Sequence, residues 1–134
     1  MLLIKDLSQI KGLEARKAAL EVIEAVGGGA FADVALERVF KLYSFKSIDK
    51  ALITELSYGA IRHRYFLDRW IDFLGKVSAK KQPPILRWLL PLGLYQILKM
   101  QRIPPAAAIN TTVELTKTLR LKRLAPVVNG ILRS

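Results

Sequence analysis

Ile85-Leu86-Arg87-Trp88-Leu89-Leu90-Pro91-Leu92-Gly93-Leu94-Tyr95-Gln96-Ile97-Leu98-Lys99-Met100 is apolar at nearly every position. A bilayer crossing needs about twenty such residues. Here the run from Ile85 to Leu98 is too short for that and carries an arginine and a proline. The stretch therefore reads as a buried helix at the centre of a core, opened by Gln82-Pro83-Pro84 with a proline in its first turn. Pro91 removes one backbone donor and crowds the carbonyl of Arg87, so a kink or a break is expected there.

Working outward, glycine and proline punctuate segments that all have helical periodicity, and strand-like alternation is almost absent. Leu13 to Val26 places Ala15, Ala19, Val22 and Val26 on one face, with Leu20 and Ile23 beside them, and Gly27-Gly28-Gly29 stops it. Phe31 to Tyr43 turns Ala35, Leu36, Val39 and Phe40 inward. A third helix begins after Ser47 as its N-cap, carries Leu52, Ile53, Leu56 and Ala60 inward through Ile61, and breaks or bends near His63 before continuing over Tyr65 to Leu74. Beyond the central helix, Ile103-Pro104-Pro105 starts a helix over about Ala106 to Leu119, with Ile109, Val113 and Thr116 on one side. Pro126 then seeds a last short helix holding Val127, Val128, Ile131 and Leu132. The expected architecture is all-α, one compact bundle of six to seven short helices over residues 1–134.

The composition fits. With 134 residues, 51% of them hydrophobic, the chain suits one compact domain rather than a disordered segment or a two-domain enzyme. There is no cysteine and one histidine, which excludes disulfides, thiolate metal sites and a cysteine nucleophile. The start, Met1-Leu2-Leu3-Ile4-Lys5-Asp6-Leu7, lacks the features of a signal peptide, so no export and a cytoplasmic setting are expected. Formal net charge is +11, from 22 basic and 11 acidic side chains. Residues 1–72 carry +1 and residues 73–134 carry +10, with Glu114 the one acid of that second part. A polyanion is the partner such a pole favours.

Four collinear segments carry a resemblance. Asp49-Lys50-Ala51-Leu52-Ile53-Thr54-Glu55-Leu56-Ser57-Tyr58-Gly59-Ala60-Ile61-Arg62, followed by Leu67-Asp68, is similar to the middle helices of the NusB-like domain. Leu92-Gly93-Leu94-Tyr95-Gln96-Ile97 agrees in order and spacing, as does the run from Ala108 through Asn110, Thr111 and Glu114 to Lys117, and then Val127-Val128-Asn129-Gly130-Ile131-Leu132-Arg133. Both the antitermination factor NusB and the N-terminal RNA-binding domain of Sun or Fmu type rRNA methyltransferases have such a domain. Tyr58 to Arg62 with Leu67-Asp68, and the Gly-Ile-Leu-Arg ending, resemble the methyltransferase version more closely. One departure is Thr111, where many members carry Glu.

The resemblance implies a non-catalytic domain that helps an rRNA cytosine-C5 methyltransferase dock on small-subunit rRNA, with the catalytic domain in the same chain and no cofactor in this part. A free-standing antitermination factor regulating transcription, or a module docking on a ribosomal protein or the catalytic domain, is the alternative. No carboxylate pair, nucleophile–base pair or nucleotide fingerprint points to an enzyme in these residues, and neither a membrane nor a metal is expected. Gly27-Gly28-Gly29 has no preceding strand and no following Lys-Ser or Lys-Thr, so it is not a phosphate loop.

RNA contact requires exposed Lys and Arg in clusters with stacking or amide groups nearby. Lys117, Arg120, Lys122 and Arg123 form one cluster at a helix end, the alternative being a solvated terminus. Lys5, Lys11, Arg16 and Lys17 form a second, and the resemblance implies that this arginine-bearing helix contributes to RNA contact; surface pairing with Glu14, Glu21 and Glu24 competes. The third joins Arg62, His63, Arg64 and Arg69 near Tyr65 and Trp70, with Arg64 and Arg69 as contacts and Arg62 expected as a buried tie between helices. His63 has no second ligand or nucleophile near it in sequence. Asn110 and Asn129 are expected to cap or bridge helices inside the bundle, and Gly59 and Gly130 to permit close helix approach.

Overall fold

The computed structural model describes residues 12–75 and 83–133. These form seven α-helices and no strand: α1 (Leu13–Gly27), α2 (Ala32–Leu42), α3 (Ser47–Arg62), α4 (Arg64–Leu74), α5 (Leu86–Lys99), α6 (Pro105–Thr118) and α7 (Ala125–Arg133), with a 3-10 turn at Lys122–Leu124 between the last two. The expected elements are all present with ends shifted by a residue or so. Ser47 is the first residue of α3 rather than its cap; Lys46 occupies the cap position in extended conformation and makes no capping side-chain bond.

The helix α5 is central, as its composition requires: Leu86, Leu89, Leu90, Leu92, Leu94, Tyr95 and Gln96 are all buried. It packs against α1, α3, α4, α6 and α7. The chain enters it through 3-10 bonds, Leu86 N–H to the Pro83 carbonyl and Arg87 N–H to that of Pro84. No break occurs at Pro91. It lies inside an unbroken helix, itself buried, where packing on every side offsets the missing hydrogen bond.

The break at His63 is observed. His63 ends α3 and precedes α4, and its backbone (φ −99°, ψ 17°) lets α4 take a new direction. Its imidazole stacks on the Tyr95 ring with centroids 5.9 Å apart and planes 21° from parallel. Beneath, α3 crosses α5 where Gly59 faces Tyr95: a Cβ on Gly59 would collide with the phenol ring, so glycine is the residue that permits this approach. The same expectation fails for Gly130, whose added Cβ would meet open space. The close approach of α7 instead uses Gly93 of α5, where a Cβ would lie 2.8 Å from a Leu132 methyl and 3.0 Å from the Thr112 hydroxyl.

Buried hydroxyls are satisfied locally. Ser57 donates to the Ile53 carbonyl at 2.7 Å, Thr111 to Ala107 at 2.8 Å, Thr112 to Ala108 at 2.7 Å and Thr116 to its neighbour Thr112 at 2.8 Å. The Thr111 side chain thus turns back onto its own helix. Among the described residues no helix is long and apolar enough to cross a membrane.

Candidate nucleic-acid interface

The turn after α6 gathers four cations. Leu121 N–H bonds to the Thr116 carbonyl at 3.1 Å and Arg120 N–H to that of Lys117 at 3.0 Å, the paired bonds of a Schellman helix ending. That ending requires a left-handed residue, usually glycine, and Arg120 fills it with φ 63°. An L side chain there costs roughly 1–2 kcal/mol. The reverse turn then presents Arg120, Lys122 and Arg123, all exposed, whose side chains make no hydrogen bond or ion pair among the described residues. Lys117 lies exposed one turn earlier, 3.5 Å from Glu114. The expected cluster is therefore assembled, around a strained residue that sequence patterning does not reveal.

The second cluster is divided. Lys5 and Lys11 lie outside the described residues. Lys17 pairs with Glu21 at 3.0 Å, the (i, i+4) surface bridge that competes with RNA contact. Arg16 is corrected: with 7% exposure it is buried, its Nε donating to Gln96 Oε1 at 2.9 Å and a terminal nitrogen to the Gly12 carbonyl at 3.1 Å. Gln96 in turn donates to the Leu92 carbonyl at 3.1 Å. Burial lowers the Arg16 pKa. A guanidinium held this way ties α1 to α5 and is not presented to a polyanion.

The third cluster exchanges roles with the second. Arg62, expected as the buried tie, is exposed at the end of α3. Arg64 is committed to the protein: its Nε is 3.2 Å from the Asp68 carboxylate, and its guanidinium lies 4.2 Å from the centre of the Trp88 ring. Trp88 packs on Gly27 at the end of α1, where an added Cβ would strike the indole. Arg69 is exposed beside Trp70. Of the two cations singled out here, Arg69 remains available and Arg64 does not.

The asparagines do not bridge helices. Asn110 is exposed, and Asn129 accepts from Arg133 Nε at 2.7 Å along its own helix. The interior amide is Gln96, fully buried. Among the described residues no group of three or more His, Asp or Glu could hold a metal ion.

Comparison with known proteins matches residues 13–134 to the NusB family. The "Probable ribosomal RNA small subunit methyltransferase B" of Synechocystis sp. is 38% identical over 122 residues, 90% of this chain and 27% of that protein. A protein of the same name from Bacillus subtilis is 35% identical over 93% of this chain and 28% of its own length. The "Ribosomal RNA small subunit methyltransferase B" of Shewanella oneidensis is 40% identical over 90% and 27%. The chain spans about a quarter of the length of the curated relatives it matches. The residues that match that quarter form an all-α bundle. With the NusB match running from the start of α1 to the end of the sequence, the chain belongs to the NusB family.

Proposed function

We propose that these residues form the non-catalytic RNA-binding part of an rRNA cytosine-C5 methyltransferase acting in the cytoplasm, and that they help the enzyme dock on small-subunit rRNA. The chemistry, with its S-adenosylmethionine, belongs on this reading to a catalytic domain in the same polypeptide, and no cofactor is assigned to the helical bundle. The observation that carries the proposal is the turn at 117–123, where Arg120 occupies a left-handed position between three other exposed cations. Glycine would relieve the strain, so an arginine there is best explained by what its charge contacts. Arg69 and Arg62 extend the cationic set on the third cluster. Relatives named for small-subunit rRNA methylation support this reading over a free-standing antitermination factor.

The test is a fluorescence titration of the domain against small-subunit rRNA fragments and an unrelated RNA, at several salt concentrations. A preference for one fragment that persists while affinity falls with salt is expected of a docking module. Weak binding that disappears equally for every RNA as salt rises would reduce the positive charge to generic phosphate attraction.

A further inference from the structure

The helix α4 turns its large rings outward. Leu67 and Ile71 are buried on its inner face and Leu74 is half-buried, whereas among the described residues Tyr65 is 87% exposed, Phe73 79%, Phe66 43% and Trp70 38%. Every exposed large apolar side chain of this helix is therefore aromatic. Exposed apolar residues are ordinary one at a time, and four rings on one short helix are not.

Charge is interleaved with the rings. Tyr65, Arg69 and Phe73 stand four residues apart, so an exposed guanidinium lies between two exposed rings on one ridge. Phe66 and Trp70 form the adjoining row, and Trp70 meets Phe73 edge-on with centroids 6.0 Å apart. The exposed Lys99 of α5 sits 4.9 Å from the centre of the Phe66 ring, and Arg62 is exposed just before the helix. The side chains of Arg62 and Arg69 make no hydrogen bond or ion pair among the described residues. Of the two acids on α4, Asp68 is taken up by Arg64 at 3.2 Å, and Asp72 has an interaction of its own.

An unpaired cation in the middle of an aromatic face narrows what can cover it. A purely apolar surface would strip Arg69 of water and return no counter-charge. A nucleotide meets both demands at once, because its base stacks on a ring or a guanidinium plane while its phosphate pairs with the charge. The net charge of +11 favours such a polyanion over a basic or neutral surface. Bases inside a duplex present no open face, so the bases that reach these rings are unpaired ones.

We propose that the outer face of α4 is a stacking platform for unpaired bases of RNA, with Tyr65 and Phe73 as the stacking rings and Arg69 between them as a phosphate contact. The proposal rests on the RNA reading above and adds a second contact to it. The 117–123 turn holds cations and no aromatic residue, whereas α4 holds the rings that respond to the bases.

The experiment measures fluorescence anisotropy of the 134-residue chain with a labelled single-stranded RNA of about twelve nucleotides, and with a strand of equal length and charge that lacks bases, across a salt series. The parent chain is expected to bind the base-bearing strand at least about tenfold more tightly. Tyr65→Ala and Phe73→Ala should each lower that affinity about tenfold and leave the slope of log affinity against log salt unchanged, because a ring releases no counterion. Tyr65→Phe, which keeps the ring, and Phe31→Ala, at an exposed ring on the cap of α2, should stay within about twofold of the parent. Arg69→Ala should weaken binding of both strands and reduce the slope by about 1. Equal affinity for the two strands, or variants at 65, 69 and 73 that bind like the parent, overturns the proposal and leaves the turn as the RNA contact. Ring variants that melt earlier while RNA affinity is unchanged overturn it too, by giving the rings to packing within the polypeptide. A parent chain that binds neither strand overturns the RNA reading and this proposal with it.

Discussion

Arg16 Nε donates to Gln96 Oε1 at 2.9 Å between α1 and α5, and both side chains are buried. Among the described residues this charge in the core is hydrogen-bonded to an amide and a backbone carbonyl, and to no carboxylate. Such a charge is kept by its hydrogen bonds, and removing the acceptor leaves the full desolvation cost in place.

Replacing the amide alone is therefore expected to be worse than replacing both groups. Gln96→Leu should lower unfolding stability by about 2–3 kcal/mol, whereas the double variant Arg16→Met/Gln96→Leu should lose appreciably less. Denaturant unfolding of the two singles and the double measures the coupling. Strict additivity would show that the bond contributes nothing.

Two glycines within helices are expected to respond with opposite sign. Gly59→Ala drives a methyl into the Tyr95 ring and should cost about 1–3 kcal/mol. Gly130→Ala adds its methyl in open space within α7 and should gain about 0.5–1 kcal/mol from helix propensity. Thermal melts of the two variants check both signs.

The alkaline limit should depend on tyrosine. Burial, followed by the charge of Glu55, raises the Tyr95 pKa above its ordinary value of 10.0 despite the opposing charge of Arg62. Tyr43 is raised too, by burial and by Glu21, which accepts its hydroxyl proton at 3.2 Å. The folded chain thus retains phenolic protons that the unfolded chain releases, so stability falls as pH rises above about 10. Tyr95→Phe should flatten this loss in denaturant midpoints measured across the alkaline range. An unchanged slope would remove Tyr95 from the account.

Most of the fold was legible because its punctuation is strong. Gly27 to Gly29, Pro83-Pro84 and Pro104-Pro105 delimit helices whose inward positions repeat at helical spacing, and the buried set includes Ala19, Leu36, Leu56 and Val128 as that spacing requires. The exchange between Arg16 and Arg62 has the same origin. Arg16 follows Leu13 by three residues and precedes Leu20 and Ile23 by four and seven, all buried, so the periodicity already turns it inward. Gln96 likewise lies at helical spacing from buried Leu89, Leu92, Gly93 and Met100. At both positions the polar residue type points outward while the helical spacing points inward. The left-handed backbone of Arg120 had no such signal, since it arises from how the helix ends.

Arg120 joins stability to the central claim. Arg120→Gly removes the left-handed strain and should stabilise the domain by about 1 kcal/mol in urea unfolding, while removing one cation from the turn. A loss of stability would mean that the arginine's own contacts, not an external partner, account for its place.

The most direct measurement is the slope of log binding constant against log salt for small-subunit rRNA fragments, compared between the parent chain and Arg120→Gly/Lys122→Ala/Arg123→Ala. If the turn touches phosphate, the slope should fall by about 2–3 and affinity should drop at every salt concentration, with the fold intact by circular dichroism. An unchanged slope and unchanged affinity would contradict the assignment of this turn as the RNA contact.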